Sequence, residues 1–302
     1  MDNYDEDPLA ADIEPFDDIP VTRRRTILMK QATLDDSPDW MGAEADPFSL
    51  GAVQNSKKFE AQKVVIYGVP GVGKSTLAAT FPKPIFLRTE DGAGALDVPT
   101  FPKVIESLQE LDKAVSALRD GQHDFKTLVI DSLDWLEPIL WQYVCQQNGK
   151  RNIEEFGYGK GYTILDDVWR RVQAKLEKLR TVKGMNVVTI AHAAAVTFEP
   201  PDSDGYQMYS LKLHKRAAAI WTEWAEMILF CNFKANVVSS QNGGKNKAYG
   251  DGGRVIYTSQ RPAFVAKSRW PLPAEIYIGN DASWTPFHEA FSTATDGAWK
   301  NV

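Results

Sequence analysis

The chain is poor in cysteine, holds no long apolar run and has no basic residue near its start, and each absence excludes something. Cys145 and Cys231 are two cysteines among 302 residues, and both sit inside apolar patterns rather than at metal-ligand spacing. A disulfide-built scaffold is therefore excluded, and buried free thiols in a reducing compartment are expected. No stretch approaches the roughly eighteen consecutive apolar residues of a membrane helix, so no membrane contact is expected. The first twenty residues contain neither Lys nor Arg nor an apolar leader, which predicts a cytoplasmic rather than an exported protein. That same stretch carries Asp2, Asp5, Glu6, Asp7, Asp12, Glu14, Asp17 and Asp18. Removing these eight acids from the net charge of −6 leaves the rest of the chain at about +2. The body is thus not acidic. An acidic disordered tail explains such a start; a nucleic-acid mimic covering a basic groove and a docking segment for a partner are the alternatives.

What is present is ordinary for a soluble globular protein, with 43% hydrophobic and 25% charged residues. Residues 1 to about 60 show neither helical nor strand periodicity, only isolated anchors such as Trp40, Met41 and Phe48. From residue 61 apolar strands alternate with helical patterns: KVVIY at 63 to 67, PIFLRT at 84 to 89, TLVID at 127 to 131 and NVVTIAH at 186 to 192. Between them, 104 to 119 and 163 to 182 repeat apolar residues at helical spacing, with Val168, Val172, Leu176 and Leu179 on one face. This alternation predicts an α/β fold, a mostly parallel sheet flanked by helices. Beyond residue 224, EMILFCNF and RVIYTS enclose a polar, glycine-rich connection and predict an added C-terminal β-hairpin. The expected organisation is a tail over 1–60, a core over 61–280 and a short C-terminal tail over 281–302.

Directly after the first strand stands GVPGVGKST. Gly68, Gly73, Lys74 and Ser75 meet the spacing G-x-x-x-x-G-K-[ST], and Gly68, Val69, Pro70, Gly71, Val72, Gly73, Lys74, Ser75 and Thr76 read as a loop that wraps a triphosphate such as ATP. Glycine lets backbone N–H groups turn inward, and the Lys74 ammonium faces the same anion. Ser75 would offer its hydroxyl to Mg2+. Asp131 ends the strand TLVID, where it fits the second magnesium-holding position; a helix N-cap is the alternative. Glu90, just after the second strand, is the candidate to orient or deprotonate water.

The order of phosphate loop, TEDGAGALD, VIDS and TIAH resembles the RecA-type recombinase core. The resemblance implies a RecA-like P-loop NTPase, with Glu90 as catalytic base and the polar residue ending the last strand as a sensor of the third phosphate. That residue is His192, where the family usually has Gln. The segment GGRVIYTSQRPAFVAKSRWPLPAEIYI resembles the part of RecA whose two basic residues reach the ATP site of the adjacent subunit. Carried over, Lys267 and Arg269 act in trans, placing cations against charge that builds on the phosphoryl group. Self-assembly into a filament or ring follows from that role.

The same resemblance implies two DNA-contacting stretches. One is EEFGYGKGYT at 154 to 163, with Tyr158, Lys160 and Tyr162, followed by Arg170 and Arg171 on the next helix. The other runs from Ala193 to Arg216, a flexible segment with Lys212, Lys215 and Arg216 at its basic end. Lysine supplies charge for phosphates, and rings stack on unpaired bases. AKSRWPLP and KLHKRAAAIWTEWAE look like those of the phage-encoded, RecA-like single-strand annealing proteins of the Sak group. Membership implies single-stranded DNA as partner, a single-strand binding protein as an associate, and a phage-infected bacterial host. A helicase-like motor or loader, and a nucleotide-gated recruiting module, remain alternatives.

Overall fold

In the computed structural model, the run Lys63–Gly68 is strand β1, near the middle of a nine-stranded sheet. The structure describes residues 48–53, 59–91, 96–234, 236–238, 247–250, 252–281 and 283–301. The chain divides into residues 1–57 and 58–302. In the first unit the described residues form a short 3-10 turn, Leu50–Ala52; the acidic stretch and the anchors Trp40 and Met41 lie outside the described residues.

In the second unit β1 leads through the glycine loop into helix α1 (Lys74–Ala79). Strand β2 (Pro84–Arg88), helix α2 (Leu108–Asp120), strand β3 (Thr127–Asp131) and helix α3 (Leu133–Gln147) follow. Next come helix α4 (Lys160–Lys183), strand β4 (Asn186–Phe198), strand β5 (Tyr206–Leu211), helix α5 (Lys215–Trp224) and strand β6 (Met227–Phe233). Short strands β7 (Asn236–Val238) and β8 (Lys247–Tyr249) pair with each other. Strands β9 (Arg254–Tyr257), β10 (Lys267–Ser268), β11 (Glu275–Gly279) and helix α6 (Thr285–Ala294) complete the fold.

The sheet order is β11-β9-β6-β1-β4-β3-β2. From β6 to β2 every pairing is parallel, whereas β9 and β11 add antiparallel strands at one side. This is the expected mixed α/β core with its C-terminal β extension, EMILFCNF and RVIYTS pairing as β6 and β9. The parallel strands β1, β2, β3 and β6 are largely apolar and buried because helices cover both faces. Strand geometry sends alternate side chains to opposite faces, so Val65 and Tyr67 join a core with α2 to α5. Val64 and Ile66 join another, made with α1 and α6. Both cysteines are free and buried, as their apolar surroundings suggest.

Two segments differ from the sequence expectation. Residues 281–302, expected as a tail, carry α6, and Phe287 and Phe291 are fully buried with Trp299 beside them. Burying each such ring is worth about 1.5–3 kcal/mol, ample to hold a ten-residue helix in place. The stretch from Ala193 to Arg216, expected as a mobile loop, is for most of its length a β-hairpin. Strand β4 continues six residues beyond the parallel sheet and pairs with β5 from Ala193↔Leu211 to Phe198↔Tyr206. Alternation in AVTF and YQMYSL carries this pairing; the intervening PPDSDG supplies the turn.

Candidate functional site

The parallel strands deliver the predicted residues to one sheet edge. Gly68 ends β1, Asp131 ends β3, and His192 lies in register with Gly68 on β4. Gly68 must lack a side chain, since a Cβ there would fall 2.1 Å from the Cys231 carbonyl oxygen. Gly71 and Gly73 have φ of 75° and 97°, left-handed values that glycine adopts without steric cost. Val69 is half-buried, Pro70 and Thr76 are exposed and Val72 is buried, so the loop is anchored at Val72 and open elsewhere. Lys74 is only 7% exposed. Its ammonium donates to the carbonyl oxygens of Gly68 and Val69 at 3.3 and 3.1 Å. Burial lowers its pKa, while Asp131, Asp134 and Glu90 act in the opposite sense.

Ser75 Oγ donates to Asp131 Oδ2 at 2.6 Å, so the strand-end aspartate faces the loop hydroxyl. Burial raises the Asp131 pKa, and the Ser75 hydrogen bond resists that rise. Among the described residues no group of three or more His, Cys, Asp and Glu could hold a metal. Magnesium at a phosphate site needs only one or two protein ligands besides phosphate and water. A hydroxyl and a carboxylate within one hydrogen bond of each other fit that requirement. Ser75 and Asp131 would hold the ion, which would supply charge neutralisation for phosphate oxygens.

Glu90 is half-buried, and Ser132 Oγ reaches its Oε1 at 3.4 Å. Its pKa is raised, first by burial and then by the neighbouring Asp131. Thr89 exchanges two hydrogen bonds with Ser132, at 2.7 and 2.8 Å, and so ties the end of β2 to the end of β3. That tie fixes where Glu90 stands.

Three site residues were not singled out from the sequence. Asp134, in the first turn of α3, accepts the His192 backbone N–H at 3.0 Å and contacts the ring Nδ1 at 2.8 Å. Burial pushes the Asp134 carboxyl up, but the hydrogen bonds from His192 outweigh it and leave the group below its ordinary value. One turn on, Glu137 is 5% exposed and accepts the His214 backbone N–H on both oxygens, at 3.1 and 3.0 Å. Burial pushes Glu137 up to about 7. Third, the His214 ring stacks on Tyr162 with centroids 3.9 Å apart and planes 3° from parallel. A signal did exist for Glu137: it interrupts the buried series Leu133, Leu136, Leu140 and Val144, where an apolar residue belongs.

The stack joins the two stretches proposed for nucleic acid. Tyr158 is wholly exposed, at 103%, between left-handed Gly157 and Gly159. Lys160 opens α4 and is exposed, as are Arg170, Arg171, Lys212, Lys215 and Arg216. Arg216 pairs with Asp166 of α4, with Nε to Oδ2 at 2.8 Å, which binds the base of the hairpin to the same helix. Tyr162 donates its hydroxyl to Glu154 at 2.5 Å; it is half-buried and held.

Lys267 and Arg269 lie elsewhere. Lys267 pairs with Ile228, near the start of β6, whereas the phosphate loop lies where β6 reaches Cys231. Its ammonium donates to the Thr222 and Glu223 carbonyls at 2.9 and 3.3 Å, satisfying the last turn of α5. Arg269 has a 63% exposed side chain, 3.9 Å from Glu226. Neither approaches the phosphate loop of its own chain.

A glycine loop carrying Lys and Ser, followed across the sheet by a strand-end aspartate, defines a P-loop nucleotide-binding α/β protein. An AAA-domain family model matches residues 60–270, and the chain belongs to that family. It is 29% identical over 147 residues to an SPbeta prophage-derived uncharacterized protein, YorG, of Bacillus subtilis (strain 168). That match covers 46% of this chain and 43% of the relative, less than half its length. Among solved structures, the RadB recombinase aligns over 72% of this chain and 87% of that one, with a TM-score of 0.41 and 13% identity. No helix among the described residues is long and apolar enough to cross a membrane.

Proposed function

We propose that the chain is an ATPase that couples nucleotide occupancy to the grip on single-stranded DNA, in the manner of a phage recombination or annealing protein. The observation that carries this reading is the continuity of β4. His192, in register with Gly68 of the phosphate loop, is followed without a break by the hairpin whose return leg leads to His214 and its stack on Tyr162. Helix α3 spans the same interval, holding His192 through Asp134 and His214 through Glu137.

In this reading Lys74 and the loop from Gly68 to Thr76 bind the triphosphate, with Ser75 and Asp131 as the magnesium pair. Glu90 accepts a proton from the attacking water. His192 registers the third phosphate, and a change in its position moves the hairpin root. Tyr158, Lys160, Tyr162, Arg170, Arg171, Lys212, Lys215 and Arg216 face the nucleic acid. Arg269, exposed and loosely paired, is the cation best suited to reach a neighbouring copy in a filament or ring; Lys267 is occupied by α5. The relative named from a prophage supports a phage setting.

The test is binding of a labelled, unpaired oligonucleotide by fluorescence anisotropy with ATP, with ADP and with no nucleotide, accompanied by ATP turnover. Tighter binding with ATP and DNA-stimulated turnover support the proposal. Equal affinity in all three states defeats it, and unwinding of a tailed duplex would assign a motor instead.

A further inference from the structure

The C-terminal strands and helix reach the back of the phosphate loop. A Cβ on Gly73 would lie 2.8 Å from Trp284 Cζ2 and 3.9 Å from Arg254 Nε, so the indole seats against the last glycine of the motif. Trp284 is 4% exposed, packed in the core that holds α1 and α6. Arg254 opens β9 opposite Phe233, beyond the Cys231 level of β6. Its Nε–H donates to the Val72 carbonyl at 3.1 Å, and Nη1 donates to the Asn280 carbonyl at 2.8 Å. The guanidinium also lies 5.8 Å from the Phe233 ring centroid. Its described partners are two carbonyls and a ring, none of which neutralises its charge.

A glycine-rich loop loses more conformational freedom on ordering than any other kind of segment. If nothing held it, that loss would be charged against every nucleotide bound. We propose that Arg254 and Trp284 are positioning residues of the nucleotide site, backing the loop at Val72 and Gly73 so that its N–H groups face the phosphates before nucleotide arrives. Arg254 takes the outward-facing carbonyl, and Trp284 fills the space behind Gly73. The uncompensated guanidinium adds a positive field at the loop that favours a polyanion. Two directed hydrogen bonds from one planar group also distinguish Arg254 from a lysine, whose ammonium is a point charge.

This inference rests on the nucleotide-binding reading, and its test separates the two. Full-length wild type, Arg254→Ala, Arg254→Lys and Lys74→Ala are titrated with a fluorescent ATP analogue and with ADP, and turnover is followed at saturating ATP. The expected result is that Arg254→Ala weakens ATP and ADP alike by about tenfold, raises KM to match, and leaves kcat within about twofold. Arg254→Lys should recover only part of the affinity. Melting temperatures without nucleotide provide the second readout, and the affinity loss should exceed anything explained by unfolded protein at the assay temperature. Unchanged affinity in Arg254→Ala, with Lys74→Ala unable to bind, overturns the positioning role alone. Loss of kcat at intact affinity overturns it in favour of a direct chemical role. Wild-type binding by Lys74→Ala overturns both readings.

Discussion

Asp134 holds His192 at two points, taking its backbone N–H at 3.0 Å and its ring Nδ1 at 2.8 Å. The side chain doing so is 3% exposed, so water offers no substitute for either bond. Truncating one partner of a buried hydrogen bond costs about 1–3 kcal/mol. Asp134→Ala should therefore lower stability by that order and cut ATP-dependent DNA affinity, while DNA binding without nucleotide changes little. Denaturant melts and anisotropy titrations check it; equal losses with and without ATP would remove Asp134 from the coupling.

Binding and turnover should separate at the phosphate loop. Lys74→Ala is expected to abolish binding of a fluorescent ATP analogue. Glu90→Gln is expected to retain binding and to lower turnover about 100-fold or more, the usual scale of general-base catalysis. Turnover at the wild-type rate in Glu90→Gln would dismiss it as the base.

Tyr158 and Tyr162 differ in a way that DNA binding should reveal. Tyr158 is wholly exposed, so Tyr158→Ala should leave stability unaltered while costing about 1–3 kcal/mol of affinity for unpaired DNA, the worth of one stacked base. Tyr162 is stacked on His214 and bonded to Glu154, so Tyr162→Ala should lower both stability and affinity. Full affinity in Tyr158→Ala would show that this ring meets no base.

The Glu137 carboxyl, flanked by Asp134 on its own helix and by the His214 backbone from the next, is pushed from 4.5 up to about 7 by burial. Below the lower value it is protonated in folded and unfolded chains alike. Between the two the unfolded chain ionises first, so stability drains away as pH rises toward 7, by about 3 kcal/mol in all, and then levels off. Glu137→Gln should flatten this slope in melting curves taken between pH 5 and 8. Parallel curves for variant and wild type would refute the titration.

Arg269→Ala should reduce turnover only under conditions where the protein self-associates, and mixing it with Glu90→Gln should restore activity at shared sites. Lys267→Ala, which frees two carbonyls at the end of α5, should act chiefly on stability. Absence of recovery in the Arg269→Ala mixture would favour a self-contained pocket.

The parallel sheet and its phosphate loop were legible in the sequence because both are local: apolar runs of strand length, and glycines at fixed spacing before Lys74. Asp131 ends β3 as expected, and Glu90 follows β2; His192, read as a strand end, instead lies inside β4, which runs on to Phe198, because the residues after it pair with β5. The partners of Asp134 and Glu137 were not legible, because they are backbone N–H groups 58 and 77 residues away; in Glu137's case only the interruption of a buried series pointed to it. The hairpin was missed since proline and glycine near its turn outweighed the alternation of AVTF and YQMYSL. Arg254 leaves no mark for a related reason: its hydrogen bonds go to main-chain carbonyls, which no motif records.

The placement of Trp284 has a consequence for synthesis. The family match ends at residue 270, yet the indole that seats against Gly73 emerges from the ribosome fourteen residues later. A growing chain thus carries its entire phosphate-loop motif well before the indole that packs behind Gly73 is made.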